Sequence, residues 1–359
     1  MTARAGTFPG AQEADVVDLR SEAVAPLHPL VRAALSDAPE GSDSYDEDPS
    51  VHELESRLAG MFGMGCALFV PTGRMANAIA VGALGGTGTE VLLDADAHMA
   101  RSEYALITRL WGTMTRTFFS DGGRARPGDV LPLLGCLENT TVRTSLVCVE
   151  DTHSARGGAA QDLDAIRELA GILAGRNISL YCDGARLWYA NLAHRVPWTT
   201  YGSLYDGLAV SLVKGVGAPV GAAVMLRDCQ RPRLRELRRM LGGAWVRPTP
   251  LAKAALCALD VCLPGLERDC AHAGRLAAAL RSSLPGLNVC QETNVVAFDV
   301  PDAAEYFEKC RAAGVLVFRY TPTRIRAVLH RGITAEAVDR AASVLADVFC
   351  SLADEGGYP

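Results

Sequence analysis

The sequence predicts an α/β protein with a mostly parallel central sheet and a smaller C-terminal α+β domain. Three observations predict it. Short apolar runs alternate with longer helical patterns from about Val51 to Leu226, which is the pattern of crossover units. The pattern breaks around Pro248 and Pro250. Beyond the break come a long helical stretch and then a mixture of strands and helices.

The apolar runs place strands at Ala67–Val70, Val91–Leu93, Ser145–Val149, Ile178–Cys182, Leu208–Leu212 and Ala222–Leu226. A parallel strand covered on both faces reads as a continuous apolar run, and these do. Helical spacing is found over Val51–Met61, Arg74–Leu84, Leu163–Ala174 and Arg231–Met240. After the break, a helix is expected over Leu251–Leu280, strands at Val295–Val300 and Ile325–Leu329, and helices at Ala303–Ala312 and Ala335–Leu352. The chain therefore divides into an N-terminal segment (1–45), a large domain (46–247) and a small domain (248–359). The first segment is expected to join the small domain and a subunit interface.

Composition narrows the function classes. A net charge of −6 over 359 residues speaks against nucleic acid or an anionic membrane as partner. The Arg-rich stretch Arg227–Arg239 could touch nucleic acid as part of a non-catalytic binding module, but such a helix is more often a solvated or interface face. Eleven cysteines without paired spacing predict reduced thiols, a cytoplasmic protein and no structural zinc. Met1–Asp18 lacks the apolar core of a signal peptide, and no apolar run approaches the ~20 residues of a membrane span. Lysine is scarce: Lys214, Lys253 and Lys309 are the only three.

Lys214 stands in Ser211-Leu-Val-Lys-Gly-Val-Gly-Ala-Pro-Val-Gly, where an apolar strand runs into the lysine and a glycine-rich turn follows. That is the place a Schiff-base lysine needs: desolvated, so that the amine is uncharged, and open beside it to a planar ligand. The plain alternative is a surface lysine in a loop. The strand Ile178-Ser-Leu-Tyr-Cys-Asp183 also ends in a charge, with Arg186 three residues on. A carboxylate there can hold a pyridine nitrogen protonated, or simply cap a helix. Thr72 and Gly73 lie where a strand meets a helix start, a site for phosphate or for a cap. His98 and His153 each follow a strand, as structural or as functional imidazoles. Together these residues fall at the carboxyl ends of strands, the edge where such sheets bind ligands.

Read as one series, the motifs resemble the threonine aldolase, or β-eliminating lyase, group of fold-type-I pyridoxal-phosphate (PLP) enzymes. The series is Asp18-Leu-Arg-Ser21-Glu-Ala-Val, Tyr45-Asp-Glu-Asp-Pro, Phe69-Val-Pro-Thr-Gly-Arg-Met-Ala-Asn, Asp96-Ala-His98, Glu150-Asp-Thr-His153, Asp183-Gly-Ala-Arg186-Leu, the Lys214 motif, Met240-Leu-Gly-Gly, Thr293-Asn-Val-Val and Ile325-Arg326-Ala-Val-Leu-His330. The resemblance implies a PLP-dependent aldehyde-lyase that splits a β-hydroxy-α-amino acid into glycine and an aldehyde. Lys214 would carry the cofactor, Asp183 pair with its ring nitrogen and His98 stack on the ring. Thr72 and Gly73 would hold its phosphate. Ser21, Arg186 and Arg326 would clamp the substrate carboxylate, with Arg186 also near the ring oxygen. His153 would touch the β-hydroxyl, and His98 or His153 would be the base. The resemblance also implies a homo-oligomer, a tetramer or dimer of dimers, in which Tyr45 serves a neighbour's site. No metal is expected.

The chain departs from the group's usual motifs. Ser-Gly-Thr-Met-Gly-Asn is Thr72-Gly-Arg-Met-Ala-Asn77, and the usual arginine after Leu-Gly-Gly-Gly-Met is Val246. Arg74 or Arg247 is expected to replace that arginine at the phosphate. Ser-Asp-Thr-Val is Ser21-Glu-Ala-Val24, and Glu-Asn-Thr-His-Asn is Glu150-Asp-Thr-His-Ser154. With Trp111 and Trp245, these changes predict a modified substrate pocket and a specialised substrate.

Overall fold

The computed structural model describes residues 16–37, 41–134 and 142–356. Most of the Met1–Asp18 segment, and residues 357–359 of the small domain, lie outside the described residues. A seven-stranded sheet organises the large domain. Its order is Cys66–Val70, Ala222–Leu226, Gly207–Ser211, Ser179–Gly184, Thr144–Glu150, Glu90–Asp94 and Met114–Phe118. Only Ala222–Leu226 runs against its neighbours, so all the other strands point their carboxyl ends to one edge.

The six strands expected from sequence are buried on both faces. The seventh, Met114–Phe118, carries no such signal. It is an edge strand in which only Phe118 is buried, and its sequence Met-Thr-Arg-Thr-Phe is accordingly polar.

Helices form where the caps permit. Asp48 accepts from the N–H groups of Ser50 and Val51, Pro49 opens the first turn, and Gly63 closes Pro49–Phe62 at φ 65°. Leu54, Leu58 and Phe62 on its inner face are fully buried, each contributing roughly 1.5–3 kcal/mol. The single helix expected over Leu251–Leu280 is instead two pieces, Thr249–Val261 and Leu263–Ser283, meeting at 41°. Pro264 stands in the break and removes a backbone donor there. No single described helix is long and apolar enough to cross a membrane.

Three of the five arginines of the helix Arg231–Met240 spend their charge internally. Arg238 is buried on Asp43 and the Phe69 carbonyl, Arg235 bonds Asp43 and Asp46, and Arg231 bonds Asp46 and Glu55. These pairs lock the segment before the first large-domain helix onto the sheet.

The small domain holds a four-stranded antiparallel sheet in the order Phe318–Arg319, Arg324–Val328, Val295–Asp299 and Val289–Gln291. The N-terminal strand Val17–Asp18 pairs in parallel with Val315–Leu316. The Leu19 carbonyl accepts from Val328 N–H at 2.7 Å, and His330 Nε2 lies 2.9 Å from the Asp18 carbonyl. This anchoring delivers Ser21 and Glu22 to the edge of the large sheet.

Candidate active site

Lys214 sits in the turn after Gly207–Ser211. The Ser211 hydroxyl accepts from the N–H groups of Val213 and Lys214 (3.2 and 3.0 Å), which fixes the turn. Gly217 is required there: its φ is +79°, and a Cβ would collide with the Arg331 guanidinium. Burial, with Arg186 nearby, lowers the Lys214 amine to about 8, against the pull of Glu22 and Asp183.

Asp183 ends the neighbouring strand and is buried. Its Oδ2 accepts from the Asn77 amide at 2.9 Å, and its Oδ1 from Ala185 N–H at 3.2 Å. Burial, then the carboxylates of Glu150 and Glu103, raise its pKa. Such a carboxyl gains most from a cationic partner.

Asn77 joins three groups. Its amide also donates to Glu103 at 2.8 Å, and its carbonyl accepts from Tyr181 at 2.7 Å. Glu103 in turn bonds His98 Nδ1 at 2.9 Å, and the His98 side chain stays 29% exposed. The ligand atoms of His98, Glu103 and Asp183 lie within 4.8 Å of one another, close enough to suggest a metal. The Asn77 amide donates to both carboxylates, which makes a relay of hydrogen bonds the simpler description. Neither Asn77 nor Glu103 was singled out from sequence.

Arg186 and Arg326 approach each other across the Ser154 hydroxyl, at 3.1 and 2.6 Å. The resemblance assigns Arg186 to the cofactor oxygen or substrate carboxylate. The structure turns its fork onto Glu22 instead: Nε to Oε1 at 2.7 Å and Nη2 to Oε2 at 2.9 Å. Burial pushes Glu22 up, but Arg186 outweighs it and holds the carboxyl at about 2. Arg326 is buried, its Nε has no partner, and its guanidinium stacks on Phe318 and Tyr320 (4.6 and 5.5 Å to the ring centres). Burial and then Arg186 lower it to about 10.

His153 has no exposed surface. Its Nε2 lies 3.2 Å from Asp94 Oδ1, and its Nδ1 is unpartnered. Burial works against its charge, but Asp94 and Glu150 raise its pKa overall. The imidazole is thus fixed by Asp94, which sequence reasoning missed. Contact with a β-hydroxyl is left only to Nδ1.

The remaining expected residues are more peripheral. Thr72 Oγ1 caps Gly73–Leu84 by accepting from Met75 N–H at 3.2 Å, and nothing lies within 4 Å of where a Gly73 Cβ would stand. The same helix carries Asn77, so its N-terminus faces the Asp183 edge. Arg74 is exposed, with its guanidinium 5.4 Å from the Tyr104 ring centre. Arg247 is exposed in the link before Thr249–Val261. Ser21 caps a short turn through Ala23 N–H at 3.2 Å, and Tyr45 is 77% exposed. The two tryptophans do not build a pocket. Trp111 packs over Gly82 and donates to the Ala78 carbonyl at 2.8 Å, and Trp245 tilts against Phe69 at 4.8 Å.

One edge of the large sheet thus gathers a desolvated amine, a buried carboxyl and Arg186, and the small domain adds Arg326 beside them. A family model described as beta-eliminating lyase matches residues 18–303. Low-specificity L-threonine aldolase 1 of Arabidopsis thaliana is 32% identical over 334 residues, covering 90% of this chain and 93% of that protein. The chain therefore belongs to the beta-eliminating lyase family. In fold it is similar to Leishmania major threonine aldolase (TM-score 0.78, 17% identity, 93% of this chain and 99% of that one). It is also similar to an SPT structure with PLP (TM-score 0.72, 20% identity, 94% and 88%).

Proposed function

We propose that this chain is a PLP-dependent aldolase that cleaves or forms the Cα–Cβ bond of a β-hydroxy-α-amino acid, giving glycine and an aldehyde. The observation that carries the reading is the placement of Lys214, in the turn after one strand, near Asp183 at the end of the neighbouring strand, both desolvated. Asp183 is a buried carboxyl that a protonated ring nitrogen satisfies, Lys214 is an amine lowered toward its reactive form, and the open N-terminus at Gly73 fits a phosphate. When bound, PLP supplies the electron sink that accepts the pair left on Cα.

The protein's groups do the rest. Lys214 anchors the cofactor and carries a proton to and from Cα. Asp183, held by Asn77, keeps the ring nitrogen charged. Arg326 orients the amino acid by its carboxylate. His98, with Nδ1 on Glu103, presents Nε2 as the base for the β-hydroxyl proton. Exposed Tyr45, Met240 and Val246 favour a homo-oligomer, which sedimentation will test.

Product analysis of the PLP-loaded protein tests the reading. Glycine and an aldehyde from a β-hydroxy amino acid support it. The family description carries a second reading, β-elimination, for which the products are a 2-oxo acid and ammonia.

Two further outcomes are expected. Because the ammonium form of Lys214 cannot attack a carbonyl, the rate of PLP loading should rise about tenfold per pH unit below about 8 and then level off. Rapid-mixing absorbance from about pH 6 to about pH 9 measures this. Glu103→Gln weakens a charge-assisted bond worth about 1.5–3 kcal/mol. It should lower kcat by about 10–100-fold while leaving the glycine dissociation constant nearly unchanged.

A further inference from the structure

The two arginines at this edge are not equivalent, and the reason is Glu22. All three nitrogens of Arg186 are engaged: Nε and Nη2 by Glu22, and Nη1 by Ser154. Arg326 gives one Nη1–H to the same Ser154 hydroxyl, and its Nε is buried without a partner. A buried guanidinium N–H left unpaired is costly, so it is the donor a ligand carboxylate would satisfy. Phe318, directly opposite Arg326 in the strand register, and Tyr320 lie against its guanidinium and hold its orientation.

Glu22 is itself held firmly. Asn294 donates to Oε1 at 2.8 Å and to the Leu329 carbonyl at 3.0 Å, which ties the carboxylate to the small domain. Glu22 thus meets the fork-to-fork geometry that a substrate carboxylate would otherwise offer Arg186.

We propose that Glu22 is a positioning residue that saturates Arg186, so that the substrate α-carboxylate is received by Arg326 alone, with Ser154 bridging the two arginines. The proposal rests on the aldolase reading and refines its carboxylate site. It also predicts a specific rescue. Arg186 and Arg326 share one hydroxyl, so an Arg186 released from Glu22 lies next to the place Arg326 serves.

The experiment uses the PLP-loaded enzyme and glycine as the probe, with binding followed by absorbance. The variants are Arg326→Gln, Glu22→Gln and the double variant, each checked by thermal melting. Arg326→Gln should weaken glycine binding about 100-fold, the size of a lost charged hydrogen-bond pair. Adding Glu22→Gln to it should restore affinity at least tenfold, because Arg186 is then free. A structural role for Glu22 predicts further loss, not recovery. The proposal is overturned if the double variant binds glycine no better than Arg326→Gln. Should Glu22→Gln fail to fold, the single variant still decides: a loss below threefold for Arg326→Gln overturns the proposal. Wild-type protein that takes up no PLP would sink the aldolase reading itself, a separate result.

Discussion

Replacing Lys214 by alanine is expected to abolish covalent PLP loading and to lower turnover by about 10²–10⁴-fold from the lost proton carrier alone. Lys214 is the lysine that a strand delivers to the active edge, among Asp183, Arg186, Glu22 and Arg326. Lys309 pairs with Glu305 on the small-domain helix Ala303–Ala312, and Lys253 lies in Thr249–Val261. Both lie within helices rather than in a turn at a strand's carboxyl end. Borohydride reduction of the loaded protein, followed by peptide mass analysis, should place the label on the Lys214 peptide and find none in the variant. A label on Lys253 or Lys309 would refute the assignment. Asp183 and the Gly73 helix remain in the variant to hold PLP without a covalent bond, so covalent capture is the decisive readout.

The part of this site that lies at strand ends was legible in the sequence. Lys214, Asp183, His98 and His153 each follow an apolar run, and a parallel sheet brings the ends of such runs together whatever their spacing along the chain. The partners that orient them were not legible. Glu22 meets Arg186 across 164 positions, Asn77 meets Asp183 across 106, and Asp94 meets His153 across 59. No local pattern encodes those pairings. Each is a polar residue whose reason for burial exists only after the sheet and the small domain have closed. Glu22 could have been suspected, since it stands where the resembled motif has Asp, and one added methylene changes reach. The missed edge strand Met114–Phe118 has the opposite cause. One exposed face leaves it no apolar run to read.

A neutral replacement behind the site, Asp151→Asn, is expected to stabilise the protein by about 2–4 kcal/mol near pH 8 and by almost nothing near pH 4. Asp151 stands where the resembled motif has Asn. It is fully buried, its Oδ1 accepts only from Gln161 N–H at 3.3 Å, and its Oδ2 has no partner. Burial first, with Glu292 and Glu150 adding to it, pushes the carboxyl up to about 8, against 3.8 when unfolded. The sign follows from proton counts. Between those two values the folded chain keeps this proton and the unfolded chain has lost it, so stability falls as pH rises through the window. That gap corresponds to roughly 5 kcal/mol, and relaxation around the charge reduces the realised loss. Asparagine has the same shape and no proton to lose, so the variant should lack this slope. Melting curves of both proteins from acid to mild alkali measure the difference. Parallel curves would mean that Asp151 ionises freely inside the fold and that the segment leading to His153 admits water. A gap that opens with pH would mean that the loop carrying His153 is held by a carboxyl that stays neutral while the enzyme works.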